Sequence, residues 1–137
     1  MIIIHTVYCV LGRTGSGKST ITKEAAKQLN MSILCSYSTR RYLRQGETKE
    51  NSDHILIPPD EVEKYRNNMI AYTDRVGYCN FATKQQLLDN DFYIINPTGY
   101  YELKLKTKDM DIELVTIMVN VPYNYLRQRA RKRGDYD

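Results

Sequence analysis

The sequence has few cysteines, and none of them are spaced like disulfide or metal-binding pairs. Its 137 residues contain Cys9, Cys35 and Cys79, which are odd in number, widely separated and form no C-x-x-C pair. A disulfide framework uses an even set of cysteines, and a zinc site uses closely spaced ligands. We therefore expect neither of these, and a reducing compartment is the simplest interpretation.

Long apolar runs are also missing. The N-terminal segment Met1–Ile4 is apolar, but it has no basic flank and is followed directly by His5. No stretch approaches the roughly 20 apolar residues that a membrane-spanning helix needs. We expect a cytoplasmic protein with no membrane partner.

The sequence lacks tryptophan and a strong excess of either charge, although it contains 12 tyrosines. A net charge of +4 suits an anionic small ligand but is too weak to indicate nucleic-acid binding. The chain has no internal repeat and no low-complexity linker. Its length allows one domain with a hydrophobic core.

One glycine-rich stretch matches a phosphate-binding motif at every specified position. Residues 12–19 read G-R-T-G-S-G-K-S, which fits the pattern G-x-x-x-x-G-K-[ST]. Glycines let the backbone wrap around an oxyanion, so that successive N–H groups point inward. Lys18 would reach the outer phosphates of ATP, and the Ser19 hydroxyl would bind Mg²⁺. The expected ATP-binding residues are Gly12, Arg13, Thr14, Gly15, Ser16, Gly17, Lys18, Ser19 and Thr20.

The residues around this loop favour the structure that the motif requires. The apolar run Val7–Leu11 predicts a buried parallel strand that ends at the loop. After the loop, apolar residues recur at helical spacing, and Asn30 is a plausible helix end. They are Ile21, Ala25, Ala26 and Leu29. A strand, a loop and a helix in this order indicate a nucleotide phosphate site, whereas a ligand-free glycine-rich turn is the weaker alternative.

The rest of the chain alternates between predicted strands and helices. We expect strands at residues 31–36, 92–95 and 114–119, and helices at 83–90, 99–106 and from Pro122. A further helix is expected to start at Pro58-Pro59 and to carry an apolar face of Val62, Tyr65 and Met69.

This order predicts an α/β fold in which a parallel sheet of the P-loop NTPase type is flanked by helices. Residues 1–36 and 91–137 would form the core that carries the phosphate loop. Residues 37–90 interrupt the alternation and would form an inserted small α+β lobe over that loop, so that a second substrate could bind between them.

Four stretches together resemble the guanylate kinase family of nucleoside monophosphate kinases. The first is the phosphate loop, and the second is S-Y-S-T-R at 36–40 followed by R-Q-G-E at 44–47, similar to the family's S-x-T-T-R-x-P-R-x-G-E. The third is Gly77–Thr83, near the family's G-N-Y-Y-G-[ST]. The fourth is L-R-Q-R-A-R-K-R-G at 126–134, which aligns without gaps with L-x-x-R-L-x-x-R-G at the entrance to the family's lid.

The resemblance implies transfer of a phosphoryl group from ATP to a nucleoside monophosphate, with GMP or dGMP as the first candidate acceptor. It also implies that residues 37–90 are the lobe that binds the nucleoside monophosphate and that a lid starts at about 127–137. It implies catalytic roles for Lys18, Arg44, Arg129 and Arg133, because this chemistry depends on positive charge around the transferred group. The implied acceptor-binding residues are Ser36, Arg40, Arg41, Arg44, His54, Phe81, Thr83 and Asn96, and the implied metal is Mg²⁺ on Ser19.

Several positions depart from the family pattern. The glutamate that would read guanine is replaced by Ala71, and Asp74 is the nearest acid in the sequence. The family's phosphate-contacting tyrosines correspond most closely to His54 and Phe81, and its carboxylate after the strand at 92–95 becomes Asn96. One extra residue near position 40 leaves the choice between Arg40 and Arg41 open.

Other interpretations remain at the sequence level. The arginines near position 40 could form a solvated basic loop, and the basic run at 127–133 could bind RNA, although no aromatic residues are interleaved with it. Thr83 could simply cap a helix. The chain could accept another base, or it could be a non-catalytic binding module, although Lys18 and Ser19 favour an enzyme. Because family members continue beyond the lid, we expect the chain to be truncated at its C-terminus.

Overall fold

The computed structural model describes residues 4–13, 15–50 and 52–133, apart from the side chains of Ala130 and Arg133. Its first sheet has three parallel strands in the order β6-β1-β7, where β1 is His5–Gly12, β6 is Phe92–Ile94 and β7 is Ile112–Val119. β1 is therefore the central strand, and its C-terminal residue, Gly12, is the first residue of the phosphate loop. This mixed α/β arrangement with a parallel sheet flanked by helices is the fold class that the sequence predicts.

Four α-helices form in the described part of the chain. They are α1 (Lys18–Leu29), α2 (Lys84–Asp89), α3 (Pro97–Lys106) and α4 (Tyr123–Arg133). Helix α1 ends at Asn30, whose φ of 54° lies in the left-handed region that asparagine tolerates. Helix α2 begins with a capping box, since Thr83 accepts from Gln86 N while the Gln86 side chain accepts from Thr83 N.

The buried face of α1 differs from the one that the sequence suggests. Thr22 and Ala26 are buried, whereas Ile21 and Leu29 are 55% and 59% exposed. Thr22 buries its hydroxyl without an energetic penalty because it donates to the Lys18 carbonyl oxygen at 2.5 Å. The hydrophobic pattern therefore predicted the helix and part of its buried face, since Ala26 is buried and Ala25 packs against the same cluster, but it was wrong for Ile21 and Leu29.

The second sheet has four strands in the order β3-β2-β5-β4. Here β2 is Ser36–Ser38, β3 is His54–Leu56, β4 is Met69–Arg75 and β5 is Tyr78–Thr83. The expected core strand at 31–36 is wrong in its extent. Ile33 makes an isolated parallel bridge to Phe92, and Ser36, the last residue of the segment, already begins a strand of the second sheet.

The segment after Pro58 also differs from the prediction. A 3₁₀ helix spans Pro59–Asn68, and Met69 begins β4 instead of extending a helical face. Val62 and Tyr65 still pack inward, against a cluster that includes Phe81. Met69 pairs with Thr83 of β5, and the local sequence around Pro58 carries no information about this pairing.

The two sheets share one hydrophobic core. A single buried cluster contains Val7 and Cys9 from β1, Ile70 from β4, Ala82 from β5 and Leu103 from α3. The second sheet is therefore anchored to the parallel sheet by buried apolar contacts. Among the residues described, no helix is both long and apolar enough to cross a membrane.

Candidate functional site

The phosphate loop has a backbone that its glycines make possible. Gly15 and Gly17 adopt φ angles of 83° and 88°, in the left-handed region that a side chain disfavours. At Gly12, a Cβ atom would lie 2.7 Å from Ser16 Oγ and 2.9 Å from the Val119 carbonyl oxygen. The sequence motif thus corresponds to a tight turn that leads directly into the N-terminus of α1, where a partial positive charge favours anions. Thr14 lies outside the described residues.

Lys18 and Ser19 occupy the first turn of α1. The Lys18 Nζ donates to the Gly12 carbonyl oxygen at 2.9 Å, so its ammonium folds back over the loop. The Ser19 Oγ lies 3.5 Å from Asp53 Oδ2, and Asp53 Oδ1 pairs with Lys23 Nζ at 3.2 Å. Asp53 belongs to the loop before β3, so this contact joins the second sheet to the phosphate loop.

Arg129 reaches the same loop from α4. Its Nη1 donates to the Gly15 carbonyl oxygen at 3.0 Å. The contact places a guanidinium beside the turn whose N–H groups would face a phosphate. Of the two predicted lid arginines, Arg133 lies at the end of α4 and its side chain falls outside the described residues.

A cavity of about 520 Å³ lies between the phosphate loop and the second sheet. Small-molecule sites usually enclose roughly 300–1,000 Å³. Residues of the motif line one side of it, and polar residues of the second sheet line the other. The predicted site residues on its walls are Gly15, Gly17, Lys18, Ser19, Thr20, Ser36, Arg44, His54 and Asn96.

Ser36 and His54 form a pair on the wall opposite the phosphate loop. They are register partners in β2 and β3, and Ser36 Oγ lies 2.8 Å from His54 Nδ1. Burial lowers the pKa of His54, and the nearby Arg40 lowers it further. At neutral pH this imidazole is therefore an uncharged hydrogen-bonding group.

Arg40 is turned away from the cavity. Its side chain is 1% exposed, and it binds the Glu47 carboxylate through Nη1 at 2.7 Å and Nη2 at 3.0 Å. Nη1 also donates to the Tyr42 carbonyl oxygen at 2.7 Å. These hydrogen bonds hold the pKa of Glu47 at about 2. In this arrangement Arg40 braces the loop at 40–47, and Arg44 is the arginine of this segment that lines the cavity.

Three further residues of the predicted acceptor site do not line the cavity. Arg41 is exposed. Phe81 is fully buried and stacks on Tyr37, with the ring centroids 5.4 Å apart. Thr83 serves as the N-cap of α2. Their roles in acceptor binding stay predictions, and the structure gives Phe81 and Thr83 clear packing and capping roles.

Asn96 lies at the C-terminal end of the parallel sheet, directly before α3. Its Oδ1 accepts from Gly99 N at 2.7 Å, which makes it the N-cap of that helix. The amide also lines the cavity. At the position where the family has a carboxylate, this chain therefore has an amide whose oxygen already accepts a backbone hydrogen bond.

Ala71, at the position of the expected guanine-reading glutamate, is 4% exposed and points into the core. Its φ of 56° is unusual for a residue with a side chain, and it coincides with a register shift between Ile70 and Thr73. The neighbouring Tyr72 N donates to Glu102 Oε2 at 2.8 Å. Neither Ala71 nor Asp74 is among the described residues that line the cavity.

Several lining residues were missed at the sequence level. They include Lys23, Asp53, Arg75, Tyr78 and Asn80. Arg75 and Tyr78 are partners across the β4–β5 hairpin, and Asn80 is opposite both Thr73 and Ser38. Cross-strand partners share a face of the sheet, so these polar groups come together only once the register is known. In the sequence, only the alternation Tyr78-x-Asn80 indicates that these two side chains share a face, and it does so only if the segment is assigned as a strand.

Comparison with known proteins is informative for the fold. No protein-family model matches the chain, and neither does any curated protein sequence. Among solved structures, guanylate kinase from Anaplasma phagocytophilum is similar, with a TM-score of 0.58 and 17% sequence identity. The match covers 95% of this chain and 68% of that chain. The chain therefore has a guanylate kinase-like fold.

Proposed function

We propose that this protein is an ATP-dependent nucleoside monophosphate kinase, with GMP or dGMP as the leading candidate acceptor. The observation that carries the proposal is the shared cavity, which has Lys18 and Ser19 on one wall and Ser36, Arg44 and His54 on the other. Two phosphate-bearing ligands can meet in such a cleft. The guanylate kinase-like fold and the sequence resemblance support the same activity.

The charges that line the cavity suit this chemistry. Lys18, Lys23, Arg44 and Arg75 are cationic, while Asp53 is the one carboxylate among the described lining residues. Phosphoryl transfer relies on such charge to hold the phosphates in line and to stabilise the transition state. No general base is needed, because the attacking oxygen of a monophosphate is already ionised.

Each group then has a role in the proposed reaction. The loop N–H groups and Lys18 hold the β- and γ-phosphates of ATP, and Arg44 holds the acceptor phosphate. Arg129 adds charge from α4, and closure of the cleft excludes water. The Ser19 hydroxyl would hold Mg²⁺, which would supply further neutralisation of phosphate charge. The hard oxygen donors of Ser19 and Asp53 fit this ion, and the described residues contain no cluster of three or more His, Cys, Asp or Glu that could bind it alone.

A second candidate keeps the reaction and changes the acceptor base. Guanine presents an N1–H and an amino group, and these donors call for an acceptor such as a carboxylate. The polar side chains of β4 and β5 on the cavity wall are Arg75, Tyr78 and Asn80, and none of them is acidic. This composition favours another base or a relaxed preference.

A coupled assay of ADP formation with the eight common ribo- and deoxyribonucleoside monophosphates tests both candidates. Phosphorylation of one or more acceptors with ATP and Mg²⁺ is expected. A preference of 100-fold or more for GMP and dGMP would exclude the altered-base candidate. If no acceptor is phosphorylated and calorimetry detects no binding of ATP with Mg²⁺, the kinase proposal fails.

A further inference from the structure

The carboxylate of Asp53 has an unusual position for a cleft that would hold phosphates. It lies between two residues of α1, with Oδ2 3.5 Å from Ser19 Oγ and Oδ1 3.2 Å from Lys23 Nζ. A carboxylate beside bound phosphates repels them, unless a cation lies between the two negative groups. The position of Asp53 next to the proposed metal-binding hydroxyl therefore needs an explanation.

The parallel sheet does not supply a carboxylate at this point. Its strand β6 is followed by Asn96, a neutral amide whose Oδ1 accepts from Gly99 N. Asp53 is the single acidic side chain among the described residues on the cavity wall. A magnesium site in a phosphate-transfer enzyme usually uses one or two carboxylates together with phosphates and water.

We propose that Asp53 is a second protein ligand of the divalent cation, supplied by the loop before β3 to complete the site begun by Ser19. The inference rests on the proposed function, since it assigns a ligand to the Mg²⁺ that accompanies ATP. It also links the two sides of the cleft, because one ion would contact α1 and the loop before β3.

The distance between the two oxygens suits this role. Mg²⁺ binds oxygen at 2.0–2.1 Å in octahedral geometry, so neighbouring ligands lie about 2.9 Å apart. The observed separation is 3.5 Å. The Asp53 side chain is 49% exposed and can turn by the small amount required.

A hydrogen-bonded network holds the residues on both sides of Asp53. Ser52 Oγ donates to Glu47 Oε2 at 2.9 Å and accepts from His54 N at 3.1 Å. Glu47 is fixed in turn by the buried Arg40. Ser52 and His54, the two neighbours of Asp53 in sequence, are both held by hydrogen bonds. These bonds fix the backbone at Asp53 in a position from which its carboxylate reaches Ser19.

The test measures metal binding directly. Mn²⁺, a paramagnetic substitute for Mg²⁺, is titrated into the wild-type protein and variants saturated with ADP, and free Mn²⁺ is followed by electron paramagnetic resonance. Loss of one carboxylate ligand in Asp53→Asn is expected to weaken Mn²⁺ binding about 10-fold or more. Asp53→Glu, which keeps the carboxylate, is expected to recover part of that loss.

Two further variants separate ligation from a merely structural role. Lys23→Met breaks the ion pair with Asp53 but keeps the carboxylate, so Mn²⁺ affinity at saturating ADP is expected to stay the same or rise. If Asp53 only tied the loop to α1, Lys23→Met and Asp53→Asn would change Mn²⁺ affinity alike. Asp109→Asn removes an exposed carboxylate in the turn between α3 and β7 and serves as the control, with no expected change.

Without metal, Asp53→Asn should have the opposite effect, which appears in the affinity for ADP. With EDTA present, Asp53→Asn is expected to bind ADP more tightly than the wild type, because a negative charge near the phosphates is gone. If the wild type binds Mn²⁺ with ADP and Asp53→Asn changes the Mn²⁺ affinity less than twofold, the inference is overturned and the proposed function stands. If the wild type binds no ADP with or without Mn²⁺, the proposed function fails as well.

Discussion

Arg40 and Glu47 form a bidentate ion pair, with donor-to-acceptor distances of 2.7 and 3.0 Å, in which the arginine side chain is 1% exposed. The pair closes the loop at 40–47, and Glu47 also accepts from Arg44 N at 3.0 Å. Arg40, one of the two arginines that the resemblance offers as an acceptor-phosphate ligand, thus braces the loop that carries Arg44. Arg44, which lines the cavity, depends on that brace for its backbone position.

Removing one partner of this pair is expected to destabilise the protein strongly. Arg40→Met leaves the Glu47 carboxylate without its main partner in a largely buried place, which typically costs about 3–5 kcal/mol in the free energy of unfolding. Urea denaturation followed by circular dichroism measures the effect. Arg41→Met, at an exposed neighbouring position, serves as the control and should change stability by less than about 0.5 kcal/mol. Equal effects of the two variants would contradict the bracing role.

The same pair predicts how stability depends on pH. The pKa of Glu47 in the folded protein is about 2, below its ordinary value, so the unfolded chain binds more protons at acidic pH. The stabilisation is complete above about pH 5 and is lost as the pH falls towards 2; a shift of this size corresponds to about 3 kcal/mol. Urea midpoints measured between pH 7 and pH 3 should fall more steeply for the wild type than for Glu47→Gln. Parallel curves would rule out this source of acid sensitivity.

Lys18→Ala is expected to remove most of the phosphoryl-transfer activity while the fold persists. The ammonium lies over the phosphate loop through its bond to the Gly12 carbonyl oxygen, where it would meet the transferred group. Loss of such a charge should lower kcat/KM by about 10³-fold. The ADP-coupled assay measures the activity, and circular dichroism checks the fold. A folded variant with unchanged kcat/KM would refute the role assigned to Lys18.

Arg129→Met tests the contribution of α4. The guanidinium contacts the Gly15 carbonyl oxygen at 3.0 Å and can turn towards phosphates bound in the loop. Its removal is expected to lower kcat/KM by about 10²-fold. Arg131→Met is the matched control, because Arg131 is an exposed arginine of the same helix. If both variants lose activity equally, general positive charge on α4 would account for the effect, and not the position of Arg129.

Local sequence was sufficient for the elements next to the phosphate loop. The strand before Gly12, the turn at Gly15 and Gly17, and a helix ending at Asn30 follow from hydrophobic runs, glycine positions and a helix end signal. The capping box at Thr83 was equally accessible, because its two hydrogen bonds connect residues three apart. These features depend on interactions between near neighbours in the chain.

The second sheet and its contribution to the cavity depended on contacts between distant residues. β2 takes its place between β3 and β5, and the hairpin of β4 and β5 brings Arg75, Tyr78 and Asn80 to one face. The local sequence after Pro58 predicted a helical face that includes Met69. In the structure Met69 begins β4, because its pairing with β5 is more favourable than a helical conformation.

The sequence by itself determined that a glycine-rich loop with the phosphate-binding pattern joins a buried strand to a helix, because that pattern lies in consecutive residues. The tertiary structure decided which charged side chains the loop faces. It paired Arg40 with Glu47, left Arg44 on the cavity wall and placed Asp53 beside Ser19. Ion-pair partners and strand register are chosen by packing in three dimensions, and a residue's type does not reveal which partner it will meet.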